Sequence, residues 1–184
     1  LSTICGPTGA GGLIASNTTW TRACAPYVVT ANLLVQDGVQ LTIEPGVTVL
    51  LDADESIQVD GVLSAVGLAK AMIAFTSNYA LPAPGDWGYL LLTDPGDHIP
   101  ADNLQYVLIE YAGGLAVTDN GALRVNNASP TLQHLTVRHN ASHGVHFYNL
   151  ATGSISNSSI YYNSGYGLYL FSTALASTIN DSLI

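Results

Sequence analysis

The strongest constraint in this chain is an internal repeat of about two dozen residues. Leu132-x-x-Leu135-x-Val137-x-His139-Asn140 returns 23 residues later as Ile155-x-x-Ser158-x-Ile160-x-Tyr162-Asn163, and 24 residues after that as Ile179-x-x-Ser182-x-Ile184. Leu104-x-x-Val107-x-Ile109-x-Tyr111 carries the same pattern 28 residues upstream, with the surplus residues expected in a loop. A second run keeps the same spacing: Gly144-Val145-His146-Phe147-Tyr148 precedes Gly167-Leu168-Tyr169-Leu170-Phe171, and Gly121-Ala122-Leu123-Arg124-Val125 precedes both. The N-terminal half uses shorter units. Val35-Gln36-Asp37-Gly38-Val39 and Ile43-Glu44-Pro45-Gly46-Val47 lie eight residues apart, and Val59-Asp60-Gly61-Val62 is a related turn. A unit this short cannot bury its apolar face alone, so it must stack on copies of itself.

The runs are short, rich in Val, Ile, Leu, Tyr and Thr, and bounded by Gly, Asn, Asp and Pro, which signals strands and turns rather than helices. One coil per repeat, with equivalent strands of successive coils paired in parallel ~4.8 Å apart, satisfies both the spacing and the apolar pattern. The fold class expected is therefore all-β, a parallel β-helix of about six or seven coils. Residues 28–184 form the solenoid in this reading, and residues 1–27, which lack the repeat, form an N-terminal cap over its open end. Because the chain stops within a strand at Ile184, the reading expects the solenoid to continue or to be covered by another subunit. Head-to-tail self-association follows from that expectation.

The pattern Ile-x-x-Ser/Asn-x-Ile-x-x-Asn followed by Gly-x-Gly-Leu/Val resembles the right-handed parallel β-helix repeat of the pectate-lyase-like superfamily. Val39-Gln40-Leu41-Thr42-Ile43-Glu44-Pro45-Gly46-Val47 and Pro84-Gly85-Asp86-Trp87-Gly88 resemble segments of β-helices in large bacterial secreted and cell-surface proteins. The resemblance spans roughly residues 27–184. It implies the fold. It does not choose among enzymes, adhesins and passive stalks, all of which that fold hosts.

Composition narrows the choice. The chain has 184 residues with 13 Asp+Glu against 4 Lys+Arg, a net charge of −9. Four scattered basic residues cannot neutralise a phosphate track, which excludes nucleic acid as a partner. No apolar run reaches the ~20 residues of a membrane helix. Cys5 and Cys24 bracket a Gly/Thr-rich stretch and read as a disulfide tying the cap, which points to an extracellular or cell-surface location. Five Asn-x-Ser/Thr triplets, at Asn17, Asn127, Asn140, Asn157 and Asn180, are candidate glycan acceptors.

Polyuronate elimination would need Ca²⁺ held by carboxylates beside a basic proton acceptor, and hydrolysis would need grouped Asp residues. Asp52, Asp54 and Glu55, with Asp94 and Asp97, are the candidate Ca²⁺ ligands. They sit in turn-like contexts with no Lys or Arg neighbour, so turn formation explains them better, and no catalytic residue is assigned. Asn140 and Asn163, one coil apart at a strand end, are expected to form an amide ladder. The 23-residue offset stacks His139 over Tyr162, His143 over Tyr166, His146 over Tyr169 and Tyr148 over Phe171. Alternation puts His146, Tyr148, Tyr169 and Phe171 outside, either as stabilising cross-strand pairs or as a contact surface for glycans or a protein. The function expected is a non-enzymatic extracellular structural or adhesive protein, a stiff stalk or fibre subunit. The alternative is a polysaccharide-binding or polysaccharide-degrading protein.

Overall fold

A computed structural model describes residues 5–93, 101–171, 178–180 and 182–184. The chain opens with β1 (Thr8–Ile14), β2 (Thr18–Trp20) and β3 (Tyr27–Val35). The next coil holds β4 (Gln40–Ile43), β5 (Thr48–Leu51) and β6 (Ile57–Val59), and the third β7 (Val62–Val66), β8 (Ile73–Ser77) and β9 (Leu90–Thr93). The fourth comprises β10 (Asn103–Gln105), β11 (Val107–Glu110) and β12 (Leu123–Asn126), the fifth β13 (Thr131–Gln133), β14 (Thr136–Arg138) and β15 (Val145–Tyr148). The sixth has β16 (Ser154–Ser156), β17 (Ser159–Tyr161) and β18 (Leu168–Leu170), and β19 (Thr178–Asn180) begins another.

Every strand pairing is parallel, and the strands sort into three faces. The first runs from the start of β3 through β5, β8, β11, β14 and β17; the second runs from the end of β3 through β6, β9, β12, β15 and β18. The third is β2, β4, β7, β10, β13, β16, β19. Strand β3 serves two faces because its middle residues, Thr30, Ala31 and Asn32, bend out to solvent. The molecule is thus a parallel β-helix.

The registers follow the repeat. Leu104 pairs with Leu132, Leu132 with Ile155 and Ile155 with Ile179, while Val145 pairs with Leu168 and Phe147 with Leu170. Inward columns such as Val49–Phe75–Ile109–Val137–Ile160 are buried from end to end. Burying a Leu, Ile, Val or Phe side chain contributes roughly 1.5–3 kcal/mol, and these columns concentrate that gain along one axis.

Two expectations need correction. The ladders begin before residue 28: β1 pairs with β3 (Thr8 with Tyr27, Ile14 with Val35) and β2 pairs with β4, so much of the expected cap belongs to the coils. The Gly/Thr content of this segment hides its strand character, because glycine carries no apolar side chain to reveal a period. The second correction is one residue of register. Leu123, not Ala122, pairs with Val145, and Arg124 pairs with His146. Alternation has a period of two, so the expected alignment would have driven Arg124 into the core.

Trp20, nearly buried, stacks on Tyr27 at 4.6 Å in the first coils. Cys5 and Cys24 form a disulfide with Cα atoms 4.5 Å apart.

Candidate functional site

The edge between the first and second faces carries the chain's conspicuous excursions. Five of its bends are 52–56, 78–89, 111–122, 139–144 and 162–167, and two of these are much longer than a turn requires. One residue per coil, polar in every coil but the fourth, forms a column at this edge. Thr30 lies beside Asp52, Asp52 beside Asn78, Ala112 beside Asn140, and Asn140 beside Asn163, as the flanking registers dictate.

Two parts of that column are tied by side chains. Asn78 Nδ2 donates to Asp52 Oδ1 at 2.7 Å. Asn140, fully buried, donates from Nδ2 to Asn163 Oδ1 at 2.7 Å and accepts from the Ala112 amide at 2.8 Å. Asn163 Nδ2 in turn donates to the Val137 carbonyl at 3.1 Å. These amides satisfy backbone groups that the bend leaves without a strand partner, which is the condition for burying them.

At its N-terminal end the edge is concave. Thr30, Asp52, Ala53, Glu55, Asn78 and the half-exposed Tyr79 line a cavity of about 390 Å³. The 78–89 excursion that forms one wall is fixed by Asp86, whose Oδ2 accepts from Ser77 Oγ at 2.6 Å and from the Ala83 amide at 2.9 Å. Trp87, fully buried, anchors the excursion by donating from its indole N–H to the Glu110 carbonyl at 2.9 Å. Hydroxyl, carboxylate, amide and phenol together can donate to and accept from a polar ligand there.

Toward the C-terminal end lies a cluster on the outer side of the second face. Successive outward rungs are Leu91, Arg124, His146 and Tyr169, and the first three are nearly buried. The covering comes from the 111–122 excursion. Asn120 knots it, donating from Nδ2 to the carbonyls of Gly113 (3.1 Å) and Leu115 (2.7 Å) while its own carbonyl lies 3.3 Å from His146 Nδ1. The Arg124 guanidinium sits 4.4 Å from the Tyr89 ring centre and 5.5 Å from that of Tyr148, and donates to the Tyr148 hydroxyl at 3.0 Å. Burial pushes the Tyr148 phenol above its ordinary pKa, against the pull of Arg124. Burial likewise holds His143 and His146 below the usual imidazole value; at His146 the backbone of Asp119 and Asn120 and the Asp119 charge act the other way.

Against the sequence reading, Tyr169 is half-buried and Phe171 exposed, but His146 and Tyr148 are buried and cannot form an open platform. Alternation correctly turned them outward from the core; the lid over them comes from a non-repeating segment. His139 stacks on Tyr162 at 5.4 Å, His143 on Tyr166 at 5.3 Å, and His146 lies tilted 4.7 Å from Tyr169. His134 stacks on Tyr106 at 4.2 Å. These two hold left-handed backbone at the bend between the third and first faces, with φ near 53° and 51°.

Asp52, Asp54 and Glu55 share one bend, yet among the described residues no three His, Cys, Asp or Glu side chains converge as a metal-holding group. Asp52 is instead a rung of the polar column. Asp94 and Asp97 lie outside the described residues. Among the candidate glycan acceptors, Asn17, Asn127, Asn157 and Asn180 are exposed, whereas Asn140 is buried with both amide atoms engaged and is unavailable in the folded chain. The residues that sequence reasoning missed are Asn78, Tyr79, Tyr89, Arg124 and Asn120. Only Asn78 had a readable signal, its position one coil after Asp52.

Comparison with known proteins agrees with this architecture. Residues 12–98 match the family model described as pectate-lyase like beta helix domain. Protein bark beetle of Drosophila melanogaster is 37% identical over 81 residues, covering 41% of this chain and 3% of that protein's length. No solved structure matches.

Proposed function

We propose that this parallel β-helix, with its pectate-lyase-like N-terminal half, serves as a stiff extracellular spacer in a structural or adhesive protein. The observation that carries the reading is the stack of coils on three parallel faces, whose buried columns leave no hinge along the axis among the described residues. Bending such a rod would open a close-packed core, and that resists deformation far better than a linker does. The Cys5–Cys24 disulfide and the exposed Asn-x-Ser/Thr sites suit an oxidising, glycosylating compartment. Among the described residues no helix is long and apolar enough to cross a membrane.

The test is topological. A conformation-specific antibody should label intact producing cells, and protease added outside should remove that signal. Labelling only after permeabilisation would overturn the extracellular assignment. Small-angle scattering should return a rod whose profile is unchanged by temperature up to unfolding; a flexible-chain profile would overturn the spacer role. A second copy stacked end to end would lengthen the same rod, and sedimentation velocity across a concentration series reads that directly.

A further inference from the structure

The cluster beneath the 111–122 excursion holds two buried polar atoms without partners, Arg124 Nε and His146 Nε2. Arg124 is 8% exposed and His146 2%. They occupy directly paired positions on β12 and β15, on the same outward side. Their chemistry is complementary. With Nδ1–H directed at the Asn120 carbonyl, His146 is left with a bare acceptor at Nε2, and Arg124 Nε–H is a donor in need of one. The neutral imidazole therefore ties down the excursion through Asn120 and keeps an uncharged nitrogen, not a second donor, in the buried space one rung from the guanidinium.

We propose that His146 is an acid-sensitive pin that holds segment 113–121 over the Arg124–Tyr148 shelf and releases it when protonated. A proton on Nε2 leaves the Nδ1–H bond to Asn120 in place but turns a buried, partnerless acceptor into a buried, partnerless donor and adds charge one rung from Arg124. Lifting the segment is what lets water satisfy both. His146 is faced on every side. Arg124 lies on the preceding rung, Tyr169 on the following one at 4.7 Å, and Tyr148 and His143 on its own coil at 5.0 and 5.7 Å. Tyr166 backs His143 and Tyr169, and Tyr89 backs Arg124. Burial, helped by His143, disfavours the charged form and prevails over the backbone bonds of Asp119 and Asn120 and the Asp119 carboxylate, which, among the described residues, favour it.

The rest of the segment's attachment is slight. Gly113 and Gly114 donate to the carbonyls of Gly88 and Trp87 at its start, and beyond them the Asn120 knot is internal. Lifting the segment would uncover Leu91, Arg124 and Tyr148. It would also extend the shallow cavity on the second face that ends at Tyr89 and Leu115.

The sign follows from linkage. Opening relieves the burial that holds the closed-state imidazole below its ordinary range, so the open state takes up the proton more readily. The closed form is fully favoured above about pH 6.5. The open population then rises by up to about tenfold per pH unit as pH falls below that value.

Hydrogen exchange at the amides of Val117, Asn120 and Gly121, corrected for the intrinsic rate and compared between pH 7.5 and 5.0, tests this. Protection should fall by about tenfold or more in this segment while Val125 and Leu132 stay protected, and His146→Gln should remove the pH dependence. Dependence that persists in His146→Gln, or none in the wild type, would overturn the proposal. Should that variant not fold, NMR titration of the wild-type His146 ring decides alone. A midpoint below the free imidazole value with the Nδ1–H tautomer supports the pin, and a midpoint at or above it refutes it.

Discussion

Replacing Asn140 by alanine removes the most heavily used side chain of the edge column, and its cost can be worked from the contacts. The Ala112 amide, on a fully buried residue, would lose its 2.8 Å acceptor and find no water. An orphaned buried donor costs about 1–3 kcal/mol, and the lost 2.7 Å amide–amide bond to Asn163 adds about 1 kcal/mol. Asn163 Oδ1 keeps the weaker 3.3 Å bond from the Asn140 backbone, which limits the damage. The expected loss is therefore about 2–4 kcal/mol in urea titration. Coils unfold as neighbours, so the destabilisation should concentrate in the fourth to sixth coils. Hydrogen exchange at Ala112 and Ala141 localises it. The control is Asn149→Gly, which removes an exposed amide with one 3.0 Å bond to Asn126 yet tolerates the left-handed backbone there, φ 51°, and should cost about 1 kcal/mol or less. Equal costs for the two variants would refute the claim that the buried ladder fastens the edge.

Trp87→Ala should cost about 3–5 kcal/mol and reduce the blue-shifted tryptophan emission to the share of the nearly buried Trp20, because a fully buried indole and its bond to Glu110 both disappear. Arg138→Ala should cost less than about 1 kcal/mol and lose that effect in high salt, since its 3.0 Å pair with Glu110 is partly solvated; a double-mutant cycle with Glu110→Gln measures it. Cys5→Ser with Cys24→Ser should lower stability by about 3 kcal/mol, read from urea midpoints with and without reductant, by freeing a loop of 19 residues in the unfolded chain. Global stability should change little between about pH 7.5 and 9 and fall as pH drops below that window, because His143 and His146 take up protons more readily unfolded than folded. Urea midpoints that rise on acidification would contradict that sign.

What the sequence revealed, and what it hid, divides along one line. Contacts between equivalent positions were legible: Leu132 over Ile155, Val145 over Leu168 and Asn140 beside Asn163 all follow from a constant offset and a period of two. Contacts made by the excursions were not. The burial of His146 and Tyr148 depends on Asn120, which belongs to no repeat. The pairing of Asp52 with Asn78 was readable from position but obscured in residue type, because one coil supplies a carboxylate where the next supplies an amide. Arg124 was misplaced by one residue because Gly121 and Gly144 look equivalent, whereas the structure aligns Ala122 with Gly144. Backbone geometry was legible only in part: left-handed bends at Asn127, Asn149 and Asn157 carry the residue type that favours them, whereas those at Tyr106, His134 and Tyr162 do not.

Methyl–methyl NOE spectroscopy on selectively labelled protein tests the stacking most directly. Neighbouring rungs lie ~4.8 Å apart, so Val145 should give strong cross-peaks to both Leu123 and Leu168. Leu123 and Leu168, two rungs apart, should give none. A Val145 spectrum lacking Leu168, or one in which Leu123 and Leu168 touch directly, would contradict the solenoid on which every site described above depends.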